Sequence, residues 1–168
     1  MFTASGYRAR VAFCAKLAAV AALAVAAALS SSVAASATTS YSDSLSGTEI
    51  VPVSSVRGTF VGVAKGELPA VWRAQIVHLP LSSGTTVAVT GGTFSVVAVS
   101  GTRLTGPVTG GSVTVTNRGT NCANQTYRVS VTFDGGTFDG TLTHHRGRLL
   151  GRCLVYAATI TGHGVFAA

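Results

Sequence analysis

The chain has 168 residues, 47% of them hydrophobic and only 10% charged, with a formal net charge of +7. A typical soluble protein carries about 25% charged residues; here Thr, Ser and Gly supply the polarity instead. That mixture favours strands and turns over helices, excludes a disordered polyelectrolyte, and suits one domain and not two.

The first 37 residues read as an export signal. Arg8, Arg10 and Lys16 precede an uncharged run from Leu17 to Leu29, and a small-residue stretch ends at Ala35-Ser36-Ala37. Positive, apolar, then A-x-A is the three-part pattern of a secretory leader. The apolar run is shorter than the roughly 20 residues a membrane-spanning helix needs, and Lys16 blocks its extension. Residues 1–37 are therefore expected to be cleaved as a signal peptide. Residues 38–47 are expected to be a flexible polar lead, and 48–168 a single β domain. Once the leader is gone, no membrane partner is expected, and the location is secreted, extracellular or cell-envelope.

Cleavage also sorts the charges and the cysteines. Nine basic residues against five acids leave the mature part near +4. A nucleic-acid binder gathers such charge into a stripe, whereas only Arg146, Arg148 and Arg152 stand close together. No nucleic-acid partner is expected. Cys14 leaves with the leader, so Cys122 and Cys153 remain as an even pair in an oxidising compartment and are expected to form a disulfide. The alternatives, a metal site on two distant cysteines or a catalytic thiol, fit export less well.

Along the mature chain no stretch holds a helical period for three turns. Alternation is frequent instead. Strands are expected near Glu49–Val53, Thr59–Lys65, Val71–Leu79, Thr86–Thr90, Thr93–Ser100, Ser112–Asn117, Thr126–Phe133, Phe138–His145 and Leu149–Gly162. Tyr127, Val129, Val131 and Phe133 share one face of theirs, with Arg128, Ser130 and Thr132 on the other. The pairs Gly91-Gly92, Gly110-Gly111 and Gly135-Gly136 each precede a strand and are read as hairpin turns. Sequential antiparallel hairpins of this number must close or stack. An antiparallel β-barrel of about eight strands is expected over a β-sandwich, because closure removes exposed edges. Gly58-Thr59-Phe60, Gly92-Thr93-Phe94 and Gly136-Thr137-Phe138 echo one another. They are read as turn, strand start and inward Phe rather than as a ligand motif.

Common catalytic motifs are absent. The sequence has no G-x-S-x-G elbow, phosphate-binding Gly-Lys-Ser/Thr loop, H-E-x-x-H helix or C-x-x-C pair. No cofactor, metal ligand set or catalytic residue is assigned. The candidate ligand-binding residues are Trp72, His78, His144 and Tyr156. Trp72, Ala74, Ile76 and His78 share one side of their strand; Phe138, Gly140, Leu142 and His144 share one side of theirs; Leu154, Tyr156, Ala158 and Ile160 line up on the last. Apolar sides with single polar tips would make a pocket of small-molecule type if they face inward. A histidine at the end of an apolar face is also commonly a hydrogen-bonded rim residue, and both readings stand. His145 alternates to the other face, so the adjacent histidines cannot chelate together.

Several stretches together resemble a known group. These are Val71-Trp72 with His78-Leu79-Pro80-Leu81, then Thr90-Gly91-Gly92-Thr93-Phe94, then Phe138 through Arg146, and Gly151-Arg152-Cys153-Leu154-Val155-Tyr156. They resemble uncharacterised secreted actinobacterial proteins, themselves similar to the allene oxide cyclase and dirigent group of β-barrels, over roughly 47–162. The resemblance implies an eight-stranded antiparallel barrel whose lumen holds an apolar ligand, and carries no catalytic residue onto this chain. Three functions follow as expectations: non-enzymatic binding of a small apolar ligand or cell-envelope partner, a cofactor-free isomerase acting in the lumen, and an inert surface or adhesion module. The first is preferred.

Overall fold

The computed structural model describes residues 38–50, 54–81 and 85–167; the expected signal peptide lies outside them. Eight strands follow in order: β1 Ser40–Glu49, β2 Arg57–Gly66, β3 Ala70–His78, β4 Thr86–Ala98, β5 Arg103–Asn117, β6 Gln125–Phe133, β7 Gly136–Leu149 and β8 Arg152–Ala167. Each pairs antiparallel with the next, and β8 pairs back onto β1, so the sheet closes into a barrel. Every edge is thereby hydrogen-bonded, which is the stable answer to so many short alternating strands. Among the described residues, all strands and all of the buried core lie between Ser40 and Ala167.

Closure corrects the expectation of a loose lead at residues 38–47. That segment holds most of β1, and without it β2 and β8 would each keep one unpaired edge. Its outward Ser40, Ser42, Ser44, Ser46 and Thr48 give it a disordered look. The alternate residues run inward, with Asp43, Leu45 and Glu49 buried. A period of two was present, but small polar residues on the wet face and two acids on the dry face hid it.

The expected nine segments become eight strands because Gly91-Gly92 joins two of them within β4, and Gly110-Gly111 is not a turn either. Gly91-Gly92 lies inside β4 and Gly110-Gly111 inside β5. The pairing slips by one residue beside each, at Val77/His78 against β4 and at Val108/Gly110 against β6. These are β-bulges, which bend a long strand so that the sheet can curl. Only at Gly135-Gly136 does the chain turn as expected, with Asp134 and Gly135 in the turn and Gly136 already paired with Phe133 at the start of β7.

Aromatic rings fill the interior. Phe60, Phe94 and Phe138, the three phenylalanines of the Gly-Thr-Phe echo, are all buried. Phe94, Phe133 and Phe166 form a chain of ring contacts at 4.2 and 5.8 Å. Each such ring contributes about 2–3 kcal/mol by leaving water. The Trp72 indole lies over Gly47 and Gly62, its partners on the same rung of β1, β2 and β3. A methyl at either glycine would stand 2.7 Å from that ring, so these positions are small because the indole needs the space.

The expected disulfide is present. Cys122, in a short 3-10 turn over Thr120–Cys122, bonds Cys153 at the start of β8, with Cα atoms 5.6 Å apart. It spans 31 positions and contributes roughly 3–4 kcal/mol by restricting the unfolded chain.

Candidate functional site in the barrel mouth

One end of the barrel is formed by the end of β1, the start of β2, the end of β3, the end of β5, the start of β6 and the β7–β8 hairpin. At this mouth the inward alternation brings Glu49 from β1, His78 from β3, Tyr127 from β6 and His144 from β7 around one cavity. Phe60, Ile76, Val113, Val129 and Leu142 make its apolar walls. The cavity measures about 40 Å³. A second one deeper in the lumen, of about 50 Å³, is walled by Leu45, Trp72, Phe94, Phe133 and their neighbours. Each has room for only a few waters. The lumen is a packed core, so a ligand would seat its end in the mouth and lie outside it.

The polar centre is a buried pair. His144 Nε2 donates to Glu49 Oε2 at 2.8 Å, with both side chains under one-tenth exposed. A carboxylate oxygen only accepts, so this bond fixes a proton on Nε2 and points Nδ1 away from Glu49. The Tyr127 ring stands 4.9 Å from the imidazole, and its hydroxyl donates to Gln125 Oε1 at 3.0 Å. Burial pushes the Tyr127 phenol above the usual tyrosine range. Arg146 pulls it down, Glu49 pushes it up and Arg118 pulls it down. The phenol is a neutral donor at ordinary pH.

His78 closes the other side. Its Nδ1 lies 2.7 Å from the Leu79 carbonyl oxygen, which only accepts, so Nδ1 is the donor of this bond. The mouth thus offers two oriented imidazoles, one carboxylate and apolar walls. It can hold a hydrogen-bonding tip on an apolar body, or move a proton between neighbouring atoms of a bound molecule.

Of the four residues expected to bind ligand, His78 and His144 line this cavity together. Trp72 lines the deeper one and packs on glycine backbone. Tyr156 does not join them. It is 67% exposed and stacks toward His145 at 6.4 Å, outside the barrel. The alternation that was to line it up with Ala158 and Ile160 is interrupted by a slip in register at His145/Arg146. One extra residue on a strand resets its faces.

Glu49 and Tyr127 were not picked out from the sequence. The signal for Glu49 was the alternation of Asp43, Leu45 and Glu49, a reading that requires β1 to exist. Glu67 and Asp139 are exposed and away from the mouth. Among the described residues no cluster of three His, Cys, Asp or Glu side chains could hold a metal ion. Scanned against protein-family models, curated proteins and solved structures, the chain matches none of them.

Proposed function

We propose that this chain is an exported, non-enzymatic binding module that seats the apolar end of a small ligand, or of a cell-envelope component, in its barrel mouth. One observation carries the reading: Glu49, His78, Tyr127 and His144 converge on a single apolar-walled cavity from four different strands. Buried polar groups held by a rigid closed sheet are pre-oriented, so binding orders little that was free before. The Cys122–Cys153 bond supports an oxidising location outside the cytoplasm.

The test is a fragment screen read by the imidazole resonances of the four histidines. Fragments with an aromatic or branched aliphatic end and one hydrogen-bonding tip are expected to shift His78 and His144. His145 and His163 serve as internal references, because both are bonded on the outer face. A screen in which no fragment moves His78 or His144, or in which only the outer histidines respond, overturns the proposal.

The Glu49–His144 bond favours a second reading, a cofactor-free isomerase. His144 Nδ1 would take a proton from a carbon beside a carbonyl and return it to a different atom, with Glu49 holding the imidazolium formed. Deuterium exchange into a carbonyl fragment by the wild-type protein, lost in His144→Gln, would support this. No exchange above that variant removes it.

A further inference from the structure

The β7–β8 hairpin does not stop at the barrel rim. Beyond the slip at His145/Arg146 it continues for four rungs, from Arg146↔Val155 to Leu149↔Arg152. At about 3.3 Å per residue this is a ribbon of roughly 13 Å. Paired residues share a side of such a ribbon, so Gly147, Leu149 and Leu154 lie on one face with Arg152. Tyr156 joins that face, since its ring stands 3.5 Å from where a Gly147 side chain would begin. The opposite face carries Cys153, tied through its disulfide to the β5–β6 connection. There Arg146 donates to the Gly119 carbonyl at 3.0 Å. One face is therefore braced and the other is bare.

Apart from Arg152, the bare face is apolar. Leu149 is 62% exposed and Leu150, at the tip, 94%; Leu154 is exposed as well. Leu150 also has φ +50°, a left-handed turn conformation that glycine or asparagine adopts far more readily than leucine. The local fold would be easier with a polar residue there.

Charge is divided between the two ends of the barrel. Arg57, Arg118, Arg128, Arg146, Arg148 and Arg152 all lie in the mouth half. The one acid at that end, Glu49, is buried on His144. Asp43, Glu67, Asp134 and Asp139 lie in the far half, together with Lys65, Arg73 and Arg103. Among the described residues no arginine makes an ion pair.

We propose that the hairpin tip and the arginines around it dock on an anionic lipid surface. Leu149, Leu150 and Leu154 would enter the acyl boundary, Tyr156 would sit at headgroup depth, and the arginines would bind lipid phosphates. Apolar residues flanked by basic ones are the make-up of an interfacial anchor. Arginine stems lie along apolar surface while their guanidinium groups reach phosphate. A soluble polyanion would engage the arginines and leave the leucines in water; a lipid surface engages both. The bracing by Cys122–Cys153 means that the wedge is already ordered before it meets the membrane. This surface is separate from the mouth cavity and does not depend on it.

The experiment uses the chain from Thr38 onward, which contains β1 to β8 and the disulfide, with a cooperative thermal melt as proof of folding. It is sedimented with vesicles of equal parts phosphatidylglycerol and phosphatidylcholine, and with phosphatidylcholine alone. Binding is expected to the first and to weaken with added salt. The paired change Leu149→Ser with Leu150→Asn is expected to lower vesicle partitioning at least about tenfold. Asparagine suits the turn at 150, so the melting temperature holds, and lost binding cannot be ascribed to unfolding. Arg148→Gln with Arg152→Gln should remove most of the preference for the anionic vesicles. A Tyr156→Trp variant should show a blue-shifted emission on them. Absence of binding, or equal binding by the leucine variant, overturns the proposal. So does sedimentation of a dimer that lipid fails to dissociate, or binding to soluble polyphosphate without binding to vesicles.

Discussion

Glu49 and His144 stand 95 positions apart in the chain and 2.8 Å apart in the barrel mouth. β1 and β7 deliver them from either side of β8, so the bond bridges two strands that do not pair with each other. Removing one member of a buried pair leaves the other desolvated and unpaired, a loss of about 3–5 kcal/mol. Glu49→Ala and His144→Ala are each expected to lower the unfolding free energy by about 3 kcal/mol, read from urea denaturation. The double variant should lose clearly less than the sum. Strictly additive losses would show that the two groups do not couple.

The disulfide holds the β7–β8 hairpin, one rung from its last pair, to the β5–β6 connection. Changing Cys122 and Cys153 together to serine is expected to cost about 3–4 kcal/mol. Wild type measured with a reductant should fall to the same midpoint. If the reductant left wild type unchanged, the bond would be absent from the protein in solution.

Trp72 spans Gly47 and Gly62, and the glycines are its counterpart in the packing. Gly62→Ala places a methyl against both the indole and the Ser46 carbonyl. Overpacking of this kind costs about 1–3 kcal/mol. The accompanying signature is a change in tryptophan emission, which Trp72, the one tryptophan in the chain, reports without ambiguity. Unaltered emission and stability would mean that the ring does not lie there.

Tyr127 gives a dependence on alkali. Its phenol is raised above the ordinary tyrosine value chiefly by burial. The unfolded chain therefore releases this proton first, near pH 10. Below that pH both states keep the proton and the contribution is constant. As pH climbs from about 10 toward the raised folded value, the unfolded state binds fewer protons than the folded one and stability falls. Tyr127→Phe should lose this part of the alkaline slope. At about pH 8 it should cost only about 1 kcal/mol, the worth of the bond to Gln125. Identical slopes for the two proteins between pH 8 and about pH 11 would contradict the buried placement.

Much of the architecture could be read from local pattern. Tyr127, Val129, Val131 and Phe133 fall inward because side chains alternate along a strand, and no distant residue is needed to see it. The Cys122–Cys153 bond followed from counting, since one cysteine of three lay in the leader stretch. His78 and His144 could be placed on inward faces for the same reason as the valines.

Other features escaped because they depend on what lies across the sheet. The segment 38–47 looked like a polar lead; only the need of β2 and β8 for partners makes it a strand. Gly91-Gly92 and Gly110-Gly111 have the composition of hairpin turns. Whether such a pair turns the chain or bulges it is decided by the neighbouring strand's register. Tyr156 was placed with Ala158 by alternation, and one slipped rung put it outside.

The amino-acid order by itself determined the strand-rich character, the inward faces of β3, β6 and β7 and the sulfur clamp, since each rests on the spacing of nearby residues or on simple counting. The tertiary structure alone decided that the barrel closes through β1, that Glu49 meets His144, and that the β7–β8 hairpin overshoots the rim with its leucines bare. Those facts depend on strand register, which is set by hydrogen bonds between residues far apart in the chain.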